Sequence, residues 1–430
     1  MSNPGLLIFR VMVGLLLAVV LLVAALIFAP DEAPSELSNA MRTHGLSAVD
    51  TYAEGFIYQL GIGAPIGKDP ARFGMARINA YQEAMSQPMD DSFEYREKIS
   101  ANELPLMDTK EWGSCSLDQW QCIGALLTDE SRLNRLVLQS EEIYKRYEHL
   151  LSLQHHENTL LTRFDEPDVH MQYLSQGNFA LIFRALKAAI VDSDESVTAI
   201  LMADVTRLRE LLAGANTVVS KVVYCAAIAR DIYVLNALQV WGLAAPTGEL
   251  PELTRQELSF ARPLAREFAM NALMFDRLSE SRNAFSFDFE LPTWVLHSTF
   301  KKNMFLNQLA VRMNRFIENA ERSPQAFSTA EVPSEIGWLG MLFNPIGSAY
   351  IKIADDINFD NYSSRTQDLN KQIILYNQIR QGRNQWSESS SYQLGFHQGD
   401  ASLVCFDRHR PSKDMSKEIC LVTSAQRSEP

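Results

Sequence analysis

The run from Val11 to Ala29, VMVGLLLAVVLLVAALIFA, holds 19 residues without a charge, and it constrains the chain more tightly than anything else in it. At 1.5 Å of rise per residue, a helix of that length reaches across a bilayer's hydrocarbon core, roughly 30 Å thick. A helix also satisfies its own backbone, which lipid cannot do. A cleaved secretion signal has a shorter apolar region, roughly 7–15 residues, with small residues at the cut. Here the exit is Ile27-Phe28-Ala29-Pro30, with no small residue two places before Ala29 and a proline where a mature chain would begin. The expectation is an uncleaved anchor. Arg10 and the chain's amine precede the run, whereas Asp31, Glu32 and Glu36 follow it. Positive flanks stay on the cytoplasmic side, so the body is expected outside. Residues 1–10 then form a short cytoplasmic N-terminus and 11–29 the transmembrane anchor. The expected localisation is a bacterial inner membrane, crossed once, with the body in the periplasm.

Beyond residue 30 the chain carries 38 Lys+Arg against 52 Asp+Glu, a net charge of −14. Nucleic-acid affinity comes from cations that neutralise phosphates, so a nucleic-acid binder is excluded. An apolar fraction of 47% is enough to build cores and excludes wholesale disorder. From Ser35 to about Gly382 the apolar period is mostly 3.6. The clearest stripe spans 131–154, where Leu133, Leu136, Val137, Ile143, Tyr144, Tyr147, Leu150 and Leu151 share one face. Others span 169–191, 195–213, 217–241, 254–281 and 299–321, with earlier helices at 36–59 and 69–86. Thr254 and Glu257 fit a capping box, and Leu60–Gly67 is a Pro/Gly-rich connector. No fixed repeat period emerges. The expected fold is mainly α, a multi-helix bundle or irregular α-solenoid over residues 30–385, with a sub-boundary near 100–128. Ile336–Ile351 is uncharged for 16 residues, but Asn344-Pro345 and Gly347 break it, so a loop and a helix start are expected there.

Residues 386–430 read differently, as a small antiparallel β element. Ser402–Phe406 and Glu418–Val422 are short β-prone runs around turn residues, and Tyr392–Phe396 offers a third strand. A turn centred on Ser412-Lys413 sets Cys405 opposite Cys420, close enough for a disulfide. Cys115 and Cys122 are expected to form a second bridge, since a lone pair at that spacing is weak for zinc. Cys225 lies in an apolar helix and reads as a core residue. Both bridges agree with export.

No complete catalytic motif is present. Gly61-x-Gly63-x-x-x-Gly67 is out of register for a dinucleotide turn and follows a helix, so it reads as a connector. Ser298-Thr299-Phe300-Lys301 matches S-x-x-K, but the companion motifs of that chemistry are missing. His155, His156 and Glu157, with Asp165, Glu166, Asp168 and His170, form the densest group of ligand residues. Adjacent helical histidines diverge by about 100°, so a polar helix end is the better reading, and His156, Glu157 and His170 are the ligands to test first. Asp355, Asp356 and Asp360 lack the spacing of a calcium loop. No catalytic, cofactor-binding or metal residue is assigned, and no cofactor is expected. The chain is expected to be a binding, assembly or envelope-maintenance module rather than an enzyme. Its expected partners are other envelope or membrane proteins, with the bilayer itself around the N-terminal helix. The alternative is an exported hydrolase whose residues meet only in three dimensions.

Overall fold

The computed structural model describes residues 4–27, 29–46, 52–86, 103–108, 117, 119–153, 166–167, 169–191, 194–280, 300–327, 343–356, 359–382, 396–398, 402–409 and 417–423. The helices are α1 (Pro4–Ile27), α2 (Glu36–Gly45), α3 (Glu54–Leu60), α4 (Pro70–Ser86), α5 (Trp120–Thr128), α6 (Glu130–Gln139), α7 (Glu141–Ser152) and α8 (Met171–Val191). They continue with α9 (Asp194–Gly214), α10 (Val218–Val240), α11 (Arg255–Leu258), α12 (Ala261–Glu280), α13 (Lys302–Ala320), α14 (Pro345–Asp356) and α15 (Asp360–Arg380). Three strands, β1 (Phe396–Gln398), β2 (Leu403–Asp407) and β3 (Glu418–Val422), close the described chain. The expected mainly helical architecture with a small disulfide-closed sheet is what this arrangement shows.

α1 is 24 residues long, and the side chains described on it are Phe9, Met12–Leu21 and Ala24. Phe9, Met12 and Leu16 are each about two-thirds exposed. Among the described residues no helix is long and apolar enough to cross a membrane.

α10 is the centre of the body. Thr217 caps it by accepting from the Ser220 amide at 3.0 Å, and Gly242, at a φ of +71°, turns the chain away after its end. It packs against α5, α8, α9, α15 and β3, so nearly every face is covered. A helix covered all round must be apolar all round, and Ile228, Ile232, Val234, Leu235 and Leu238 are fully buried. The main core gathers these residues with Leu133, Leu136 and Tyr147 of α6 and α7, Ile182, Phe183 and Leu186 of α8, Leu201 and Leu208 of α9, and Ile373 and Tyr376 of α15. A second core is aromatic. Phe268 and Phe275 of α12 meet Phe305 of α13 and Ile351 of α14, with Phe300 and Tyr350 at its edge. A smaller core joins α3 and α4 through Phe56, Leu60, Ile78 and Tyr81.

Two expected helices are interrupted. The stripe over 131–154 divides at Ser140, whose buried hydroxyl donates to the Val137 carbonyl at 3.2 Å, so the apolar face continues while the rod bends. The stripe over 254–281 breaks at Ser259-Phe260, because Pro263 has no amide to give the Ser259 carbonyl and its ring would crowd it. The capping box is present in full, with Glu257 accepting from the Thr254 amide at 2.7 Å. The expected helix at 36–59 appears as α2 and α3, with 47–51 outside the described residues. Of Ile336–Ile351, the last part opens α14 at Pro345, and 336–342 lie outside the described residues.

The connector after α3 is held by its own carbonyls. Arg146, almost wholly buried, donates to the Ile62 carbonyl at 2.8 Å and to the Ala64 carbonyl, and Arg77 donates to the Leu60 carbonyl. Gly61 and Gly74 let α3 and α4 cross with backbone on backbone. A Cβ on Gly61 would run into the Pro70 carbonyl oxygen, and one on Gly74 into that of Ile57. This is a packing device, in line with the connector reading.

The sheet runs β1-β2-β3, all antiparallel, and Cys405 pairs with Cys420 in register. The two cysteines are joined by a disulfide. The third strand sits later than expected, at Phe396–Gln398, and residues 392–395 lie outside the described residues. Val404, Phe406 and Leu421 on one face of the sheet, and Val422 on the other, belong to the main core, so the sheet is part of the body's interior.

Candidate functional site: a buried carboxyl pair

The densest buried polar arrangement sits where α7, α8, α9 and α10 meet. Asp204 continues the buried face of Val197, Leu201 and Leu208 on α9, and Asp231 continues that of Tyr224, Ile228 and Leu235 on α10. Asn178 of α8 and Tyr147 of α7 occupy the same kind of position, and all four side chains are closed off from water. The periodicity of each helix therefore drives a polar group into the core.

The hydrogen bonds are directional. Asn178 Nδ2 donates to Asp204 Oδ2 and to Asp231 Oδ1, each at 2.9 Å. Arg230 donates to Asn178 Oδ1, which fixes the amide's orientation, and its guanidinium stacks 3.9 Å from the centre of the Phe179 ring. Tyr147 Oη lies 2.8 and 3.0 Å from the two Asp204 oxygens. Tyr147 and Asn178 thus both donate to Asp204, whereas Asp231 Oδ2 has no donor. Burial, and after it the charge of Asp204, holds Asp231 well above the ordinary carboxyl range. Burial also raises Asp204, against hydrogen bonds from Asp231, Tyr147 and Asn178 that favour its charged form. Burial and both acids push the Tyr147 hydroxyl up. The arrangement can hold and share a proton; enclosed on all sides, it offers nothing to a substrate.

Most of the residues singled out from sequence fall outside the description, and the described ones among them stand apart in separate contacts. His155, His156, Glu157, Asp165 and Asp168 lie outside the described residues. Glu166 forms an ion pair with Arg266, and His170 Nε2 stands 3.8 Å from Glu103 Oε1. Ser298 also lies outside, and Lys301 is buried, its amide donating to Asn344 Oδ1 at 2.9 Å and its ammonium 5.4 Å from the Phe343 ring centre. Asp355 and Asp356 end α14 and Asp360 begins α15, with their side chains outside the description. Cys122 is disulfide-bonded, while Cys115, its expected partner, lies outside the described residues. Cys225 is a buried free thiol, and burial pushes it up to about 12, far from a nucleophilic thiolate. Cys405, Glu418 and Cys420 lie close enough to share an ion, but the two sulfurs are bonded to each other and offer no thiolate.

Sequence reasoning missed the carboxyl pair. The signal was available, since Asp204 and Asp231 each interrupt an apolar stripe at a core position. No family model, no curated protein and no solved structure matches this chain.

Proposed function

We propose that this chain is a single-pass, membrane-anchored protein with an exported helical body, and that the body is a binding or assembly module for other envelope proteins. The observation that carries the reading is oxidised sulfur. Cys405 and Cys420 are bridged and Cys122 is also disulfide-bonded, chemistry that persists in exported compartments and is rare in the cytosol. The uncharged run at Val11–Ala29 and the lone Arg10 before it supply the anchor and its orientation. A tethered body searches for partners in two dimensions, which suits assembly. The hydrolase alternative draws no support from the carboxyl pair, because both acids are closed to substrate.

The test of topology is a pair of alkaline phosphatase fusions, one after Gly5 and one after Thr423, with extraction of the native membranes at alkaline pH. Activity from the later fusion alone, with the chain left in the pellet, is the expected outcome. A later fusion that is inactive while the earlier one is active, or a chain released into the supernatant, overturns the anchor. Crosslinking in those membranes tests the module, and a body that stays monomeric at every crosslinker length overturns it.

A further inference from the structure

We propose that Asp204 and Asp231 form a proton-held latch, in which one shared proton keeps α7, α8, α9 and α10 clamped and its loss opens the centre of the helical body. The charges facing the pair can be named element by element. α7 brings Tyr147 and, farther out, Tyr144; α8 brings the neutral Asn178; α9 brings Asp204; α10 brings Asp231 and Arg230. Arg230 is the one cation bonded into this network, since Arg184 of α8, 3.9 Å from the centre of the Tyr144 ring, is paired with Glu141. One guanidinium offsets one carboxylate, so a second negative charge in this enclosure has no counterion. The donors say which acid holds the proton. Tyr147 and one amide hydrogen of Asn178 serve Asp204, and the other amide hydrogen serves Asp231 Oδ1. Asp231 Oδ2 is left without a donor, an orphan only while Asp231 is charged. Protonated there, Asp231 donates to Asp204, and every oxygen of the pair has a reason to sit where it does.

Asp204 and Asp231 lie on α9 and α10, which pack against each other directly. Removal of the shared proton sets two like charges between those helices, with water excluded. The sign follows from linkage. The folded body binds this proton more tightly than the unfolded chain, so its advantage is present at low pH and is lost as pH rises through the pair's upper titration. The reporter is built in. Cys225 is the only free thiol among the described residues, it is buried, and it sits in α10 ahead of Asp231.

The experiment labels Cys225 with a maleimide in the full chain in detergent micelles, from pH 5 to 10, and compares wild type with Asp231→Asn. The asparagine stands for the permanently protonated acid. Thiol ionisation speeds both proteins alike, so the ratio of rates reads the opening alone. The expected ratio is near one at pH 5 and rises by up to about tenfold per pH unit once the proton is lost. Buried carboxyls titrate up to about pH 8–9, within the range scanned. A ratio that stays flat to pH 10 overturns the latch. Asp204→Asn, which leaves one acid beside Arg230, must likewise remove the rise, and it serves if the first variant does not fold. Infrared difference spectra of the wild type between pH 7 and 10 must show a protonated carboxyl being lost, and their silence would also overturn the proposal.

Discussion

The core around α10 buries Asp204, Asp231, Lys221, Asn236 and Gln239 among its leucines, whereas the core between α12 and α13 is centred on a cluster of rings. In the first, each polar group is placed by a directional bond. Lys221 Nζ donates to the Leu212 carbonyl at 3.1 Å, Asn236 Oδ1 accepts from the Val422 amide at 2.8 Å, and Gln239 Oε1 accepts from Tyr376 Oη at 2.9 Å. In the second, Phe275 stands 4.7 Å from the Phe305 ring and 5.1 Å from those of Phe300 and Tyr350. Asp276, the next residue, faces outward to Arg42 and to Lys302 at 2.6 Å. The lesson is one of specificity. Ring packing tolerates rearrangement if volume is kept, but a buried hydrogen-bond network is right only in one register and one protonation state.

The contrast can be broken at its strongest point first. Phe275→Ala should cost about 3–5 kcal/mol, because it empties the centre of the ring cluster, and denaturant unfolding at two pH values should find the loss unchanged by pH. Asn178→Ala should cost about 2–3 kcal/mol by removing both donors between the acids. Unlike the first loss, this one should grow as pH rises, and equal losses at pH 5 and 8 would erase the distinction between the cores. Asp368, where the sheet docks on α15, sharpens the comparison further. Burial raises its carboxyl to about 6, against the His409 amide that donates to it at 3.1 Å. A carboxyl raised on folding stabilises fully below its unfolded value, about 4, and that contribution fades as pH climbs through 6. Wild type should therefore lose on the order of 2 kcal/mol between pH 4 and 7 that Asp368→Asn does not lose, read as the difference in urea midpoints. The smallest effect belongs to the seam between the cores. Thr254→Ala removes one cap and should lower stability by about 1 kcal/mol at neutral pH, measured by thermal unfolding.

What sequence could reveal divides along the range of the interactions. The stripe over 217–241, the capping box at Thr254 and the pairing of Cys405 with Cys420 depend on neighbours a few residues away, or on a single turn, and all are legible. The bend at Ser140 is not, because serine sits comfortably within a helix until its hydroxyl turns back to Val137. The carboxyl pair was hidden for a different reason. Asp204 and Asp231 are 27 positions apart, and neither has meaning until α9 and α10 bring them to one Asn178. A charged residue at a core position of an apolar stripe is the visible half of that signal, and it points inward.

One consequence follows from the bare meeting of α3 and α4. At Gly61 and Gly74 the two rods meet peptide plane on peptide plane, with no side chain there to repack, so the smallest heritable change, glycine to alanine at either position, is already too large. Leucines elsewhere can drift to methionine or isoleucine without changing the shape of the molecule. This corner cannot drift, because any Cβ placed there meets a backbone carbonyl.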